Sequence, residues 1–117
     1  MPVAVASNAP RRAVLRVLAR LDLTWPFCVV VSADDVQRPK PAAGPNVGAC
    51  AGLRADPRRS LAVEDSEIGA ISADAAGLGV VEAAPSGWHH VGSSRRPAAL
   101  RITSLAGSRL ARPALGR

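Results

Sequence analysis

The chain alternates short, wholly apolar runs with longer stretches in which apolar residues recur every three or four positions. "VAVAS" (3–7) is apolar on successive residues and ends in a hydroxyl, the pattern of a strand buried on both faces of a parallel sheet. "NAPRRAVLRVLARLDL" (8–23) follows. Val14, Leu15, Val17, Leu18 and Leu21 fall at helical spacing, with Arg11, Arg12, Arg16 and Arg20 toward water. Asn8 is placed to cap this helix and Pro10 suits its first turn. "CVVVS" (28–32) is a β-branched strand. Three prolines make "RPKPAAGP" (38–45) irregular, and 46–55 reads as a helix weakened by Gly48 and Gly52. "SLAV" (60–63) is a third strand. "SEIGAISADAAGLG" is a helix with Ile68, Ile71 and Ala75 inward and Gly77 as its stop, and "LGVVE" (78–82) is a fourth strand. Strands and helices alternate through residue 82, which predicts an α/β fold with an open parallel sheet.

Beyond residue 84 this order dissolves, so the chain divides into a core of residues 1–84 and a basic, low-complexity tail of residues 85–117, expected to be poorly ordered. "ALRITSLAGSRLA" within it reads at most as a frayed helix. Charge divides at the same place. The core carries nine Lys or Arg against nine Asp or Glu; the tail carries six arginines and no acid, so the whole net charge of +6 lies there. Contact with nucleic acid or an acidic membrane through that tail is one reading. A solvated end is favoured, because no recognition helix or base-stacking aromatics accompany the arginines. No specific nucleic acid and no membrane partner are expected. No apolar run is long enough to span a bilayer and the N-terminus lacks a signal-peptide pattern, which predicts a cytoplasmic protein. Cys28 and Cys50 read as buried thiols rather than a disulfide framework. His89-His90 lack a third ligand and read as solvent-facing.

Candidate chemistry gathers where the strands end. In open parallel sheets ligands bind outside the carboxyl ends of the strands. Ser7 ends the first strand, Lys40 follows the second, and Glu64-Asp65 close the third. A hydroxyl, a cation and two carboxylates suit phosphate chemistry: the hydroxyl and neighbouring amides take phosphate oxygens, lysine adds a point charge, and carboxylates hold Mg²⁺. Adjacent acids are tolerable if one faces a hydrated cation and the other bonds the following backbone. Taken singly, each feature has a plainer reading: a strand terminator, a solvated lysine between prolines, and an acidic helix start.

Together, "VAVASNAPRR", "VVVSADDVQRPKPAAGP" and "RRSLAVEDSEIGAISADAAGLGVV" resemble the latter part of the haloacid dehalogenase-like hydrolases, in the branch of small phosphatases and β-phosphoglucomutase-like enzymes, over residues 3–82. The resemblance implies a partial Rossmann-like parallel sheet of about four strands with helices on both faces. It implies that Ser7 and Asn8 bind the phosphoryl group of a phosphorylated small molecule. Lys40 would be catalytic, steadying nucleophile and phosphate, and Glu64 and Asp65 would serve Mg²⁺, Asp65 the more directly. The "SN" pair also allows dehalogenation, but the paired acids favour a metal-assisted phosphatase.

The family's attacking aspartate belongs to an Asp-x-Asp pair on a strand upstream of the serine strand, commonly followed by a cap domain. This sequence contains no Asp-x-Asp, and Asp34-Asp35 in "ADDV" is not a substitute. The expectation is therefore a truncated hydrolase core with weak or no activity alone. Alternatives are a non-catalytic remnant or a half-domain needing a partner chain, and a misplaced start codon would also explain it. In the family that strand lies between the serine strand and the "EDS" strand. Here those two should pair directly or leave a slot of about 9–10 Å, two spacings of ~4.8 Å, open to a partner chain or self-association. The tail's composition also suggests an out-of-frame reading beginning near residue 85.

Overall fold

The computed structural model describes residues 2–23, 27–83 and 100–102. Readings that rest on the Cys28 side chain, His89, His90 and most of the tail lie outside the described residues. The elements run β1 (Val3–Ala6), α1 (Arg11–Arg20), β2 (Phe27–Val31), a 3₁₀ turn (Ala33–Asp35), α2 (Gly44–Leu53), a second 3₁₀ turn (Pro57–Arg59), β3 (Leu61–Glu64), α3 (Glu67–Ala75), β4 (Gly79–Ala83) and β5 (Leu100–Ile102). The predicted strand–helix alternation is thus present, with boundaries moved by one or two residues. Leu100–Ile102 differ from the frayed-helix reading. They form a short strand parallel to β4, whose second edge offers backbone partners that a helix could not use.

All pairings are parallel, but they form two sheets, β1-β2 and β3-β4-β5. Direct pairing of β1 with β3 does not occur among the described residues. Pairs across each ladder fix which side chains share a face. Val5 stands beside Val30, and Ala6 beside Val31. The Gly48 and Gly52 positions of α2 lie against Val31 and Val29, so α2 covers the Ala6/Val31 face. Cys50 of α2 joins Ala62, Ala70, Ala73, Leu78 and Val80 in one buried cluster. That brings β3, β4 and α3 to the same side. Opposite lies α1, whose Val14, Val17 and Leu18 line a groove with Val5 and Ser7. Helices therefore occupy both faces.

Several inward positions differ from the periodicity. In α3 the buried face is Gly69, Ala70, Ser72 and Ala73, whereas Ile68 is 46 % exposed, Ala75 is exposed and Ile71 is half-buried. Small residues let this helix approach the sheet closely, and the close-packed stripe sets the phase in place of the larger isoleucines. In α1 only Val14 and Leu18 are buried, while Leu15, Val17 and Leu21 remain largely exposed. Arg11 is half-buried rather than turned to water. Its guanidinium donates to the Val30 carbonyl at 2.8 Å and to Asp35 Oδ2 at 2.7 Å. Asn8 does not cap α1; Pro10 holds that position with no side-chain cap, and Asn8 is used elsewhere. Gly77 stops α3 as expected, with φ of 92°, a backbone region that L side chains rarely adopt.

Candidate functional site

The predicted site residues lie at the C-terminal end of β3 or follow those of β1, β2 and β3, and a chain of short contacts joins three of them. Ser7 remains tied to the sheet, its N–H donating to the Val31 carbonyl at 2.9 Å. Its Oγ accepts from the Ala9 N–H at 3.1 Å, which bends the chain sharply after the strand. That bond uses a lone pair and leaves the hydroxyl proton available. Asn8, thrown outward by the bend, clasps the backbone of Lys40 with both ends of its amide. Lys40 N–H donates to Asn8 Oδ1 at 2.8 Å, and Asn8 Nδ2 donates to the Lys40 carbonyl at 3.1 Å.

Lys40 then reaches across to β3. Its Nζ lies 3.1 Å from Glu64 Oε1, and both side chains are only 10 % exposed. The adjacent acids therefore separate. The expectation that one of them would bond the following backbone fails, because Glu64 has a cation 24 residues away in sequence. Ser66 instead caps α3, its Oγ accepting from the Gly69 N–H at 3.1 Å. Burial raises the Glu64 carboxyl above its ordinary value; Lys40 opposes this, and neighbouring Asp65 adds to it. Asp65 itself is exposed and carries no ion pair or hydrogen bond among the described residues. Of the two adjacent acids, Asp65 is thus the one free to take a cation, while Glu64 could join only by sharing its charge with Lys40.

Gly69 explains how Glu64 fits. A methyl group on residue 69 would overlap Glu64 Oε2, lie 2.6 Å from its Cδ and lie 3.0 Å from Ser66 Oγ. The α3 backbone therefore passes directly over the carboxylate. The lysine loop is anchored from the opposite end. Ser72 Oγ donates to the Ala42 carbonyl at 2.6 Å and accepts from Asn46 Nδ2 at 2.8 Å, with Ser72 0 % and Asn46 5 % exposed. Sequence reasoning did not single out this pair, although two polar residues on otherwise apolar helix faces were a usable signal. It also left Asp34 and Asp35 without a role. Asp35 Oδ2 accepts from the Ser32 N–H and hydroxyl, each at 2.8 Å, and pairs with Arg11; Asp34 Oδ2 accepts from the Arg11 N–H at 2.8 Å. These bonds to Ser32, strongest first, and then to Arg11 lower the Asp35 carboxyl below its ordinary value.

Among the described residues no three His, Cys, Asp or Glu side chains cluster as a metal cage. The donor set fits a largely hydrated hard cation that meets one carboxylate, the manner in which Mg²⁺ binds, and does not fit a closed all-protein site.

Comparison with known proteins identifies the family. Residues 1–83 match the family model described as haloacid dehalogenase-like hydrolase. The validoxylamine A 7′-phosphate phosphatase of Streptomyces hygroscopicus subsp. limoneus is 31 % identical over 78 residues, 67 % of this chain and 37 % of the relative. A HAD family hydrolase from Deinococcus radiodurans R1, solved with bound phosphate and sodium, superposes with a TM-score of 0.77 at 29 % identity, covering 97 % of this chain and 52 % of that one. A Thermotoga maritima structure described as a β-phosphoglucomutase gives 0.73 at 27 %, covering 87 % and 48 %. The chain spans about half the length of these relatives, or less.

Proposed function

Because the chain belongs to the haloacid dehalogenase-like hydrolases, we propose that its strand-end cluster is the phosphoryl-binding side of a Mg²⁺-dependent phosphate-ester hydrolase. The observation that carries this reading is the Asn8–Lys40–Glu64 chain of contacts, which brings the ends of β1 and β3 to a single cationic group. Ser7 supplies a hydroxyl donor and Lys40 a point charge for phosphate oxygens. Asp65 would hold Mg²⁺, with Glu64 fixing the lysine beside it. The ion's contribution is to offset the charge of the phosphoryl group. The substrate class is a phosphorylated small molecule, in keeping with a phosphatase relative and a neighbour that binds phosphate.

Within these 117 residues no Asp-x-Asp supplies the attacking carboxylate. The groups present bind and polarise phosphate but do not form the covalent intermediate that divides the difficult step in two. Taken alone, these 117 residues should accordingly hydrolyse phosphate esters weakly or not at all while retaining phosphate binding. Among the described residues no helix is long and apolar enough to cross a membrane. A buried free thiol at Cys50 accords with a reducing, cytoplasmic setting.

Two assays test the proposal on the purified chain. Orthophosphate binding should require Mg²⁺ and weaken about tenfold or more in Asp65→Ala, while release of phosphate from an aryl phosphate should be slow and fall in the same variant. Binding and turnover that are both indifferent to Mg²⁺ and to Asp65→Ala would refute it.

A further inference from the structure

We infer that Ser72 is a positioning residue for phosphate binding: through the Ala42 carbonyl it fixes the Lys40 loop against α3, and so sets where the lysine ammonium stands beside Glu64 and an incoming phosphate. The inference rests on the phosphoryl-binding reading above and extends it to a side chain that touches no phosphate.

The first observation is how the loop is held. Asn8 ties the Lys40 peptide to the end of β1. Among the described residues, positions 36–43 make two hydrogen bonds to the half of the fold formed by β3 and α3. One runs from Lys40 Nζ to Glu64, and the other from Ser72 Oγ to the Ala42 carbonyl at 2.6 Å. The Ser72 bond is therefore the tie that does not use the lysine's charge. When a phosphate draws the ammonium toward itself, this tie stays.

The second observation is that α3 touches both ends of the Lys40–Glu64 pair with one face. Its backbone at Gly69 passes over the Glu64 carboxylate, where a side chain would collide with it. Ser72, three residues on, lies on the same buried side of the helix and meets the loop two residues after Lys40. One rigid element thus gauges the separation of acid and base.

The third observation is the direction of the bonds. A serine hydroxyl has one proton. Asn46 Nδ2 donates to Ser72 Oγ at 2.8 Å, so that proton is left for the Ala42 carbonyl. Both side chains are buried, and bulk water does not compete for them. Exchanging two such partners together for apolar groups costs little stability. What the hydroxyl adds over a methyl group is direction: it holds Ala42, and with it Lys40, at a fixed place. A misplacement of about 1 Å in a group that grips a reacting phosphate can cost up to about 100-fold, and a loop released at one of its ties should lose less.

Three variants of the full chain separate position from stability: Ser72→Ala, Asn46→Val, and the two combined. Asn46→Val keeps the Ser72–Ala42 bond, whereas the double variant lacks it but leaves no orphaned amide. Orthophosphate affinity is measured with Mg²⁺ from amide shifts, well below each unfolding midpoint. It should weaken about fivefold or more in Ser72→Ala and in the double variant, and stay within about threefold of the parent in Asn46→Val. Affinity for Mg²⁺ alone, read at the Asp65 amide, should change by less than about twofold in all three. A second readout needs no phosphate. Hydrogen exchange of the Lys40 ammonium, followed by ¹⁵N NMR, should quicken about threefold or more in both variants that lack the hydroxyl. Affinity that recovers with stability in the double variant would make Ser72 a structural residue only and overturn the proposal, as would unchanged exchange of the ammonium. If the parent itself bound no orthophosphate, the phosphoryl-binding reading would fall, while the ammonium signal would still decide whether Ser72 positions Lys40.

Discussion

The chemistry of single residues turns on the contrast between Glu64 and Asp65. One acid is nearly dry and neutralised by Lys40; the next is wet and unpartnered. Removing the lysine takes away the influence that holds Glu64 down, so in Lys40→Met the Glu64 carboxyl should titrate higher still, read by carbon-detected NMR. The two shifted acids act on stability in opposite senses. Asp35, lowered by its hydrogen bonds, contributes stability that is present above its ordinary value of 3.8 and lost as pH falls through the lowered one. Glu64, raised by burial, favours the folded state below its ordinary value of 4.5, and that contribution fades as pH rises through the raised one. Urea unfolding as a function of pH should therefore lose its acid-side fall in Asp35→Asn and its decline above 4.5 in Glu64→Gln. Gly69→Ala tests the close approach over Glu64. It should destabilise the fold by about 1–3 kcal/mol, the usual range for overpacking, and displace Glu64 from Lys40.

Helices and strands were legible in the sequence to different depths. Apolar runs such as "VAVAS" and "CVVVS" mark strands because a parallel strand buried on both faces has no polar positions to confuse the pattern. Helix existence was equally clear, but helix phase was not. Ile68, the most apolar residue of its turn, faces water because Gly69, Ala70 and Ala73 give the closer approach. Strand β5 was hidden because three residues of β4-paired backbone leave no periodic trace in sequence. Long-range ties were hidden for a related reason: Lys40 and Glu64, or Asn46 and Ser72, meet only once α2 and α3 are packed. The Asn46–Ser72–Ala42 link is the element-scale anchor of the lysine loop. Ser72→Ala should cost about 1–3 kcal/mol in urea unfolding, because it leaves a buried amide and carbonyl without their partner. Adding Asn46→Val to that variant should recover part of the loss by removing the orphaned amide. A single variant as stable as the parent would show the link to be idle.

At the scale of the molecule, two parallel sheets share a helical layer and meet at one polar corner. The family resemblance was readable from three separated motifs because each sits at a strand end, where chain direction and chemistry are fixed together. Whether that corner binds phosphate is most directly tested by titrating orthophosphate with Mg²⁺ into the isotopically labelled chain and following its amide resonances. The account predicts saturable shifts at Ser7, Asn8, Lys40 and Asp65, dependent on Mg²⁺ and weakened about tenfold, roughly 1.4 kcal/mol, in Lys40→Met. Shifts that spare these four residues, or that persist unchanged in Lys40→Met, would contradict it.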